Sequence, residues 1–285
     1  MKVIVINLKK SLERLYRITQ NLNELNIPFE RFNAIYGKDL SKEEINNSSS
    51  FIGKTLLCNH GIIGCALSHI AIWKQFKESN EEFILISEDD IVYTKKFPKL
   101  LKDIEYIYKT VKFDILSLNC CIGITGSFKT SIRVKNYEIN NPIFPLTTAS
   151  YIVSKKGANL LLKMINKVNY HIDFEIAFRN LFNKIEYRNI KYPELLIVTQ
   201  DNNSTISVAN NGLMNKILRV IGCDKINWFL SNTVFTLFLN ITISIYAFIL
   251  IFISIICLIR KKYILFCIFS IEFILVMTPI KNLRI

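Results

Sequence analysis

From Trp228 to Ile259 the chain runs for 32 residues without one formally charged side chain. A hydrocarbon layer of about 30 Å needs only about 20 helical residues, so this run can cross with tilt, or enter, bend near Asn240 and return. Arg260, Lys261 and Lys262 follow it, and a second apolar stretch from Tyr263 to Ile280 is interrupted by Glu272, which makes a simple second span less secure. The expectation is a C-terminal hydrophobic helical membrane-associated tail over residues 228–285; an unusually apolar pair of docking helices is the alternative. With Lys216, Arg219 and Lys225 on the cytoplasmic side, a full crossing would carry Arg260 to Lys262 outside, against the preference of basic residues. A monotopic or re-entrant tail keeps both clusters on the anionic membrane surface.

The remaining residues, 1–227, have the size of one catalytic domain. With 51 % hydrophobic and 21 % charged residues, the 285-residue chain is too apolar for disorder. The net charge of +13 calls for an anionic partner: nucleic acid, a nucleotide sugar or an acidic membrane surface. No long basic block or interleaved zinc module supports nucleic acid. The seven cysteines form no Cys-x-x-Cys pair, have no histidine at zinc spacing, and suit a reducing compartment. The opening MKVIVINLKK is interrupted by Lys9 and Lys10 before any signal-peptide core forms, and reads as a first strand.

Strands and helices then alternate. Val3 to Asn7 is a short apolar strand, and Ser11 can cap a helix over Leu12 to Asn26, with Leu12, Leu15, Ile18, Leu22 and Leu25 at helical spacing. Strands are expected at Phe29 to Ala34, Glu82 to Ser87, Phe113 to Leu118, Ala149 to Val153 and Glu194 to Thr199. Helices are expected at Gly61 to Phe76, Pro98 to Lys109, Lys156 to Asn166 and up to Phe182, with a polar loop at Asn46 to Ser50 and irregular or hairpin structure over 120–147.

In ILISEDDIVY, Ile84 to Tyr93, the acids Glu88, Asp89 and Asp90 fall where an apolar strand ends. Ligands of open α/β sheets bind past the carboxyl ends of strands. Three adjacent carboxylates repel one another, so a buried arrangement needs a cation or strong donors to stay ionised. Glu88 and Asp90 stand two apart and can hold a hard divalent ion through oxygen ligands; a solvated acidic turn is the plainer reading. A second constellation is His171, Asp173 and Glu175. Here Asp173 first, and Glu175 second, could serve as general base, or Asp173 could simply cap a helix. Arg14 can contact phosphate or act as a surface charge near Glu13. No nucleophile elbow or Gly-rich phosphate loop occurs.

Seven segments in order, VIVINLKKSLERLYR (Val3 to Arg17), PFERFNAIYGKDL (Pro28 to Leu40), GIIGCALSHIAIWK (Gly61 to Lys74), FILISEDDIVY (Phe83 to Tyr93), TTASYIVSKKGANLLL (Thr147 to Leu162), HID (His171 to Asp173) and PELLIVTQDNNST (Pro193 to Thr205), resemble bacterial glycosyltransferase family 25. The resemblance covers roughly residues 1 to 205. It implies an α/β, GT-A-like nucleotide-sugar-binding fold carrying a hexosyltransferase of lipooligosaccharide biosynthesis. The implied reaction is galactosyl transfer from UDP-galactose to a lipid-linked oligosaccharide acceptor, inverting and assisted by Mn²⁺ or Mg²⁺. On that resemblance Asn7, Leu8, Arg14 and Asp89 contact the nucleotide sugar, Glu88 and Asp90 hold the metal, and Asp173 or Glu175 is the base. It places the protein at a bacterial inner membrane with the catalytic domain on the cytoplasmic side. Where the family has Gly-Glu-Ile-Gly-Cys this chain has Gly61-Ile62-Ile63-Gly64-Cys65, so Ile62 removes a carboxylate. His171 replaces a proline, and Thr147 or Thr148 lies near a usual glycine. UDP-glucose or a UDP-N-acetylhexosamine is an alternative donor. The loss at Ile62 keeps open a non-catalytic, membrane-associated carbohydrate-binding or assembly protein.

Overall fold

The computed structural model describes residues 1–118, 128–143, 145, 147–191, 197–199, 233–237 and 241–277. They fall into two compact units, residues 1–50 with 62–202 and residues 51–61 with 203–285. The domain boundary expected at residue 227 lies outside the described residues, as do Cys120, Cys121, Cys223, Lys216, Arg219 and Lys225.

The first unit is mixed α/β. Its strands are β1 (Lys2–Asn7), β2 (Glu30–Asn33), β3 (Phe83–Glu88), β4 (Ile91–Tyr93), β5 (Ile115–Ser117), β6 (Phe128–Val134), β7 (Tyr137–Pro142), β8 (Ser150–Ser154), β9 (Tyr187–Ile190) and β10 (Ile197–Thr199). Its helices are α1 (Leu12–Glu24), α2 (Lys42–Ser48), α3 (His60–Glu78, whose first two residues belong to the other unit), α4 (Phe97–Thr110), α5 (Lys155–Met164) and α6 (Ile172–Leu181). Eight strands form one sheet in the order β2-β1-β3-β8-β5-β9-β7-β6, and β4 pairs with β10 separately. β1 runs parallel to both β2 and β3, opposing Ile6 to Glu88, while β8 runs antiparallel to β3.

The sequence explains the centre of this sheet. VIVI in β1 and FILIS in β3 are buried along their whole length, as expected of parallel strands covered on both faces. Burying an apolar side chain of this size contributes about 1.5–3 kcal/mol. The two strands end in polar residues, Asn7, which is buried, and Glu88, which is partly exposed. α1 buries Ile18 and Leu22, and it ends where Asn26 takes a left-handed φ of 54°. Ser11 stands at its N-cap without a side-chain cap bond.

The expected polar loop at Asn46 to Ser50 is largely helix α2. Ser41 Oγ accepts the Glu44 amide at 3.2 Å, and Glu44 returns a carboxylate to the Ser41 amide at 2.8 Å. This reciprocal box stabilises the first turn strongly enough to override the polar composition. β4 and β9 are strands that the sequence reading did not anticipate. The 120–147 segment contains the antiparallel β6-β7 hairpin.

The second unit overturns the expected membrane tail. Part of the charge-free run forms an antiparallel pair, β11 (Thr233–Leu237) and β12 (Ile241–Ser244); the bend near Asn240 lies outside the described residues. Two helices of 15 residues follow, α7 (Ile245–Ile259) and α8 (Tyr263–Met277). At 1.5 Å per residue each spans about 22 Å, less than a bilayer core. Among the described residues no helix is long and apolar enough to cross a membrane. Two local causes set the ends of α7. Ser244 accepts the Ala247 amide at 3.1 Å, which starts α7 there, and Lys261 turns the chain with a left-handed φ of 55°. Glu272, the charge inside the second apolar stretch, accepts a hydrogen bond from Tyr246 of α7 at 3.0 Å.

Gly64 sets how closely α3 can approach the loop after β2. A Cβ there would stand 2.4 Å from the Ile35 carbonyl oxygen and 2.7 Å from the Gly37 nitrogen, both backbone atoms that cannot swing aside. Ser68, one turn on, accepts the Ile35 amide at 2.9 Å and donates to the Gly64 carbonyl at 2.8 Å. Gly64→Ala is expected to destabilise the fold by about 1–3 kcal/mol through overpacking, measured as a shift in the denaturant midpoint at unchanged slope.

Candidate active site

The carboxyl ends of β1 and β3 lie side by side, and the three acids diverge from there. Asp89 is held. Its Oδ2 accepts Asn7 Nδ2 at 2.6 Å, and its Oδ1 accepts Arg14 Nη1 at 3.3 Å, with only 10 % of the Asp89 side chain exposed. Asn7 is itself fixed, donating to the Ser11 carbonyl at 3.0 Å and accepting Arg31 Nη2 at 2.7 Å. Leu8 contributes its carbonyl to the Ser11 amide at 2.8 Å, closing the turn that launches α1. Asn7, Leu8, Arg14 and Asp89 thus form one knot at the end of β1.

Glu88 has a different environment. Its amide donates to the Ala149 carbonyl at 2.7 Å, fixing the backbone, while its side chain stays 34 % exposed. Burial first, then the charges of Asp90, Asp89 and Asp173, push its carboxyl up to about 8, opposed by Arg14. The side-chain oxygens of Glu88 and Asp90 are hard donors. That is the donor chemistry a Mg²⁺ or Mn²⁺ ion requires, so Glu88 and Asp90 fit the metal expected there.

Asp173 sits in the first turn of α6, partly exposed, with Oδ1 accepting the Phe174 amide at 2.8 Å. Its charge raises the pKa of Glu88 and of Cys65 and opposes the lowering at His171. His171, at the start of α6, has its imidazole pKa lowered by burial, with Asp173 opposing. Glu175 is placed otherwise. It is 6 % exposed and ion-paired with Arg179, which also donates to the Met164 carbonyl at 3.1 Å. Arg179 ties α6 to the end of α5, and Glu175 is committed to that arginine.

The sequence reading missed a buried chain of polar groups behind Glu88. Tyr151 of β8 bonds through its hydroxyl to both Trp73 Nε1 and His69 Nδ1, each at 2.9 Å. His69, on α3 and 1 % exposed, turns Nε2 toward Glu88 Oε1 at 3.9 Å, and burial lowers its pKa to about 4. The signal lay in helical spacing: Cys65, His69 and Trp73 recur every four residues and share a face. Ile62 is buried at 1 % one turn before Cys65. Thr147 adopts a left-handed φ of 78°, costly for a β-branched residue, and its hydroxyl accepts the Ala149 amide at 3.1 Å. That loop leads directly to the carbonyl that receives Glu88.

An α/β domain that gathers carboxylates and an arginine past the ends of adjacent parallel strands belongs among the α/β proteins that bind ligands at that edge. Residues 1–176 match the model of glycosyltransferase family 25 (LPS biosynthesis protein), and the chain belongs to that family. It is 32 % identical over 168 residues to a Haemophilus influenzae protein named as a glycosyltransferase, covering 56 % of each chain. It is 27 % identical over 173 residues to procollagen galactosyltransferase 1-A of Xenopus laevis, covering 56 % of this chain and 28 % of that one. It is 28 % identical over 172 residues to the lacto-N-neotetraose biosynthesis glycosyltransferase LgtE of Neisseria meningitidis, covering 56 % of this chain and 59 % of that one. The match therefore spans between about a quarter and three fifths of these relatives' lengths.

Tyr151→Phe tests the buried network. Removing the hydroxyl leaves Trp73 Nε1 and His69 Nδ1 without a shared partner, at about 1–3 kcal/mol per orphaned buried group. A lowered midpoint in equilibrium unfolding is the expected result.

Proposed function

We propose that the chain is a hexosyltransferase that moves galactose from UDP-galactose onto the oligosaccharide of a lipid-linked lipooligosaccharide acceptor with inversion at the sugar carbon. The observation that carries this reading is the Asp89 knot at the end of β1, with Glu88 and Asp90 on either side of it in sequence and Asp173 near enough to bear on Glu88 electrostatically, in a chain of glycosyltransferase family 25. The galactosyl assignment is supported by the name of the Xenopus laevis relative, and the lipooligosaccharide acceptor by the family's description as LPS biosynthesis proteins.

In this reading Asp173 takes the proton from the acceptor hydroxyl as that oxygen attacks the sugar carbon and the bond to the diphosphate breaks. Its position in the first turn of α6 leaves the carboxylate partly exposed, where an acceptor hydroxyl can reach it. Arg14 lies close enough to the acids to help orient the diphosphate while it anchors Asp89. Glu88 and Asp90 would hold a divalent ion, Mn²⁺ or Mg²⁺, whose bound charge neutralises the leaving diphosphate. The buried Asn7 and Asp89 keep these groups in place without reorganisation during the reaction.

The test is nucleotide release by the purified full chain across UDP-sugars, with and without de-O-acylated lipooligosaccharide, and with EDTA. Acceptor-dependent UDP release from UDP-galactose is expected, with loss on chelation. Release from UDP-glucose or a UDP-N-acetylhexosamine instead would replace the donor assignment, and no release from any donor by folded protein would refute transfer. Asp173→Asn is expected to lower kcat by about 10²–10⁴-fold with little change in KM; unchanged turnover would remove Asp173 from the mechanism.

A further inference from the structure

Cys65 and His69 stand four residues apart on α3, so their side chains lie on one face of the helix, one turn apart. Glu88, at the end of β3, faces them from the sheet. Cys65 Sγ, His69 Nε2 and a Glu88 carboxylate oxygen all lie within 4.8 Å of one another, and His69 Nε2 stands 3.9 Å from Glu88 Oε1. His69 is 1 % exposed, and its Nε2 has no hydrogen-bond partner among the described residues. A buried ring nitrogen aimed at a thiol and a carboxylate, with nothing bonded to it, is costly unless a ligand completes it.

We propose that Cys65, His69 and Glu88 form a three-ligand site for a borderline-soft divalent cation of the zinc class. The donor set argues for that class: thiolate and imidazole select zinc-like ions, whereas Mg²⁺ and Mn²⁺ prefer oxygen alone. With metal–ligand bonds of about 2.0–2.3 Å, neighbouring donors in a tetrahedral shell stand about 3.5 Å apart. The observed separations, 3.9 Å between His69 Nε2 and Glu88 Oε1 and at most 4.8 Å overall, are wider than that, so the three side chains close on the ion as it binds.

Ring orientation is already set from behind. Tyr151 Oη can accept both the Trp73 Nε1 proton and the His69 Nδ1 proton, which puts the His69 lone pair on Nε2; this is the outer-shell arrangement that commonly supports a metal-bound histidine. Cys65 is partly exposed and Glu88 is 34 % exposed, so an ion can enter from that side. On binding, the Cys65 thiol releases its proton to solvent and the sulfur becomes the anionic ligand. Three protein ligands leave the fourth position open, as in sites where zinc carries water or substrate. Glu88 is shared with the oxygen-ligand pair proposed above, and only that consequence rests on the transferase reading: an ion of this class withdraws Glu88 from the diphosphate.

The test uses Co²⁺ as a spectroscopic probe on the full chain, independently of any transfer assay. Titration is expected to produce a near-ultraviolet thiolate-to-cobalt band and tetrahedral visible bands, saturating at a single equivalent and bleached by Zn²⁺. Cys65→Ser, with circular dichroism confirming the fold, should lose the thiolate band. Glu88→Gln should retain that band with weaker cobalt retention on desalting. No band in the unaltered protein, or a thiolate band that survives Cys65→Ser, would overturn the site. The second result would assign the signal to another cysteine.

Discussion

The carboxylate of Asp89 is the point on which the site depends. It receives Asn7 from the end of β1 and Arg14 from α1, so one residue beyond β3 joins the first strand, the first helix and the neighbouring strand. Two charge-assisted or short hydrogen bonds in a nearly buried setting are worth more than their surface equivalents. By fixing the middle acid of three, they fix the directions of the other two. The chain cannot place Glu88 and Asp90 freely once Asp89 is committed.

A division of labour among adjacent acids resolves an electrostatic difficulty. Three neighbouring carboxylates facing one solvent pocket would each raise the others' pKa. Here Asp89 takes the fixed cation, while the load falls on Glu88, pushed up to about 8 by burial and its acidic neighbours. His69 behind it stays neutral, since burial lowers its pKa to about 4, and so adds no compensating charge. A ligand or ion of positive charge would stabilise the cluster in its ionised form.

Much of this was legible in the residues. The apolar runs of β1 and β3, and the acids that end the second of them, are legible from pattern alone. The order of motifs from Val3 onward points to the family that the comparison establishes. What was not legible depends on side-chain direction. Nothing in the spacing of Asp173 and Glu175 says that one faces the acidic cluster while the other turns back to Arg179. His69 reads as an isolated histidine until Tyr151, 82 residues away, is folded against it. In the C-terminal unit, absence of charge was a poor guide to element type. A serine cap separates a strand pair from a helix of 15 within a run of 32 uncharged residues, because local hydrogen bonding determines where a helix begins even where hydropathy is uniform.

The central claim, that Asp89 holds the site together while Asp90 meets the ligand, is tested most directly by thermal unfolding of Asp89→Ala and Asp90→Ala with and without UDP plus Mn²⁺. Asp89→Ala should lower the unliganded Tm, reflecting a loss of about 2–3 kcal/mol from hydrogen bonds to a charged group. Asp90→Ala should lose the ligand-induced rise that linkage gives the unaltered protein. The account would be contradicted by an Asp89→Ala protein as stable as the unaltered chain, or by an Asp90→Ala protein that still gains its full stabilisation from UDP and Mn²⁺.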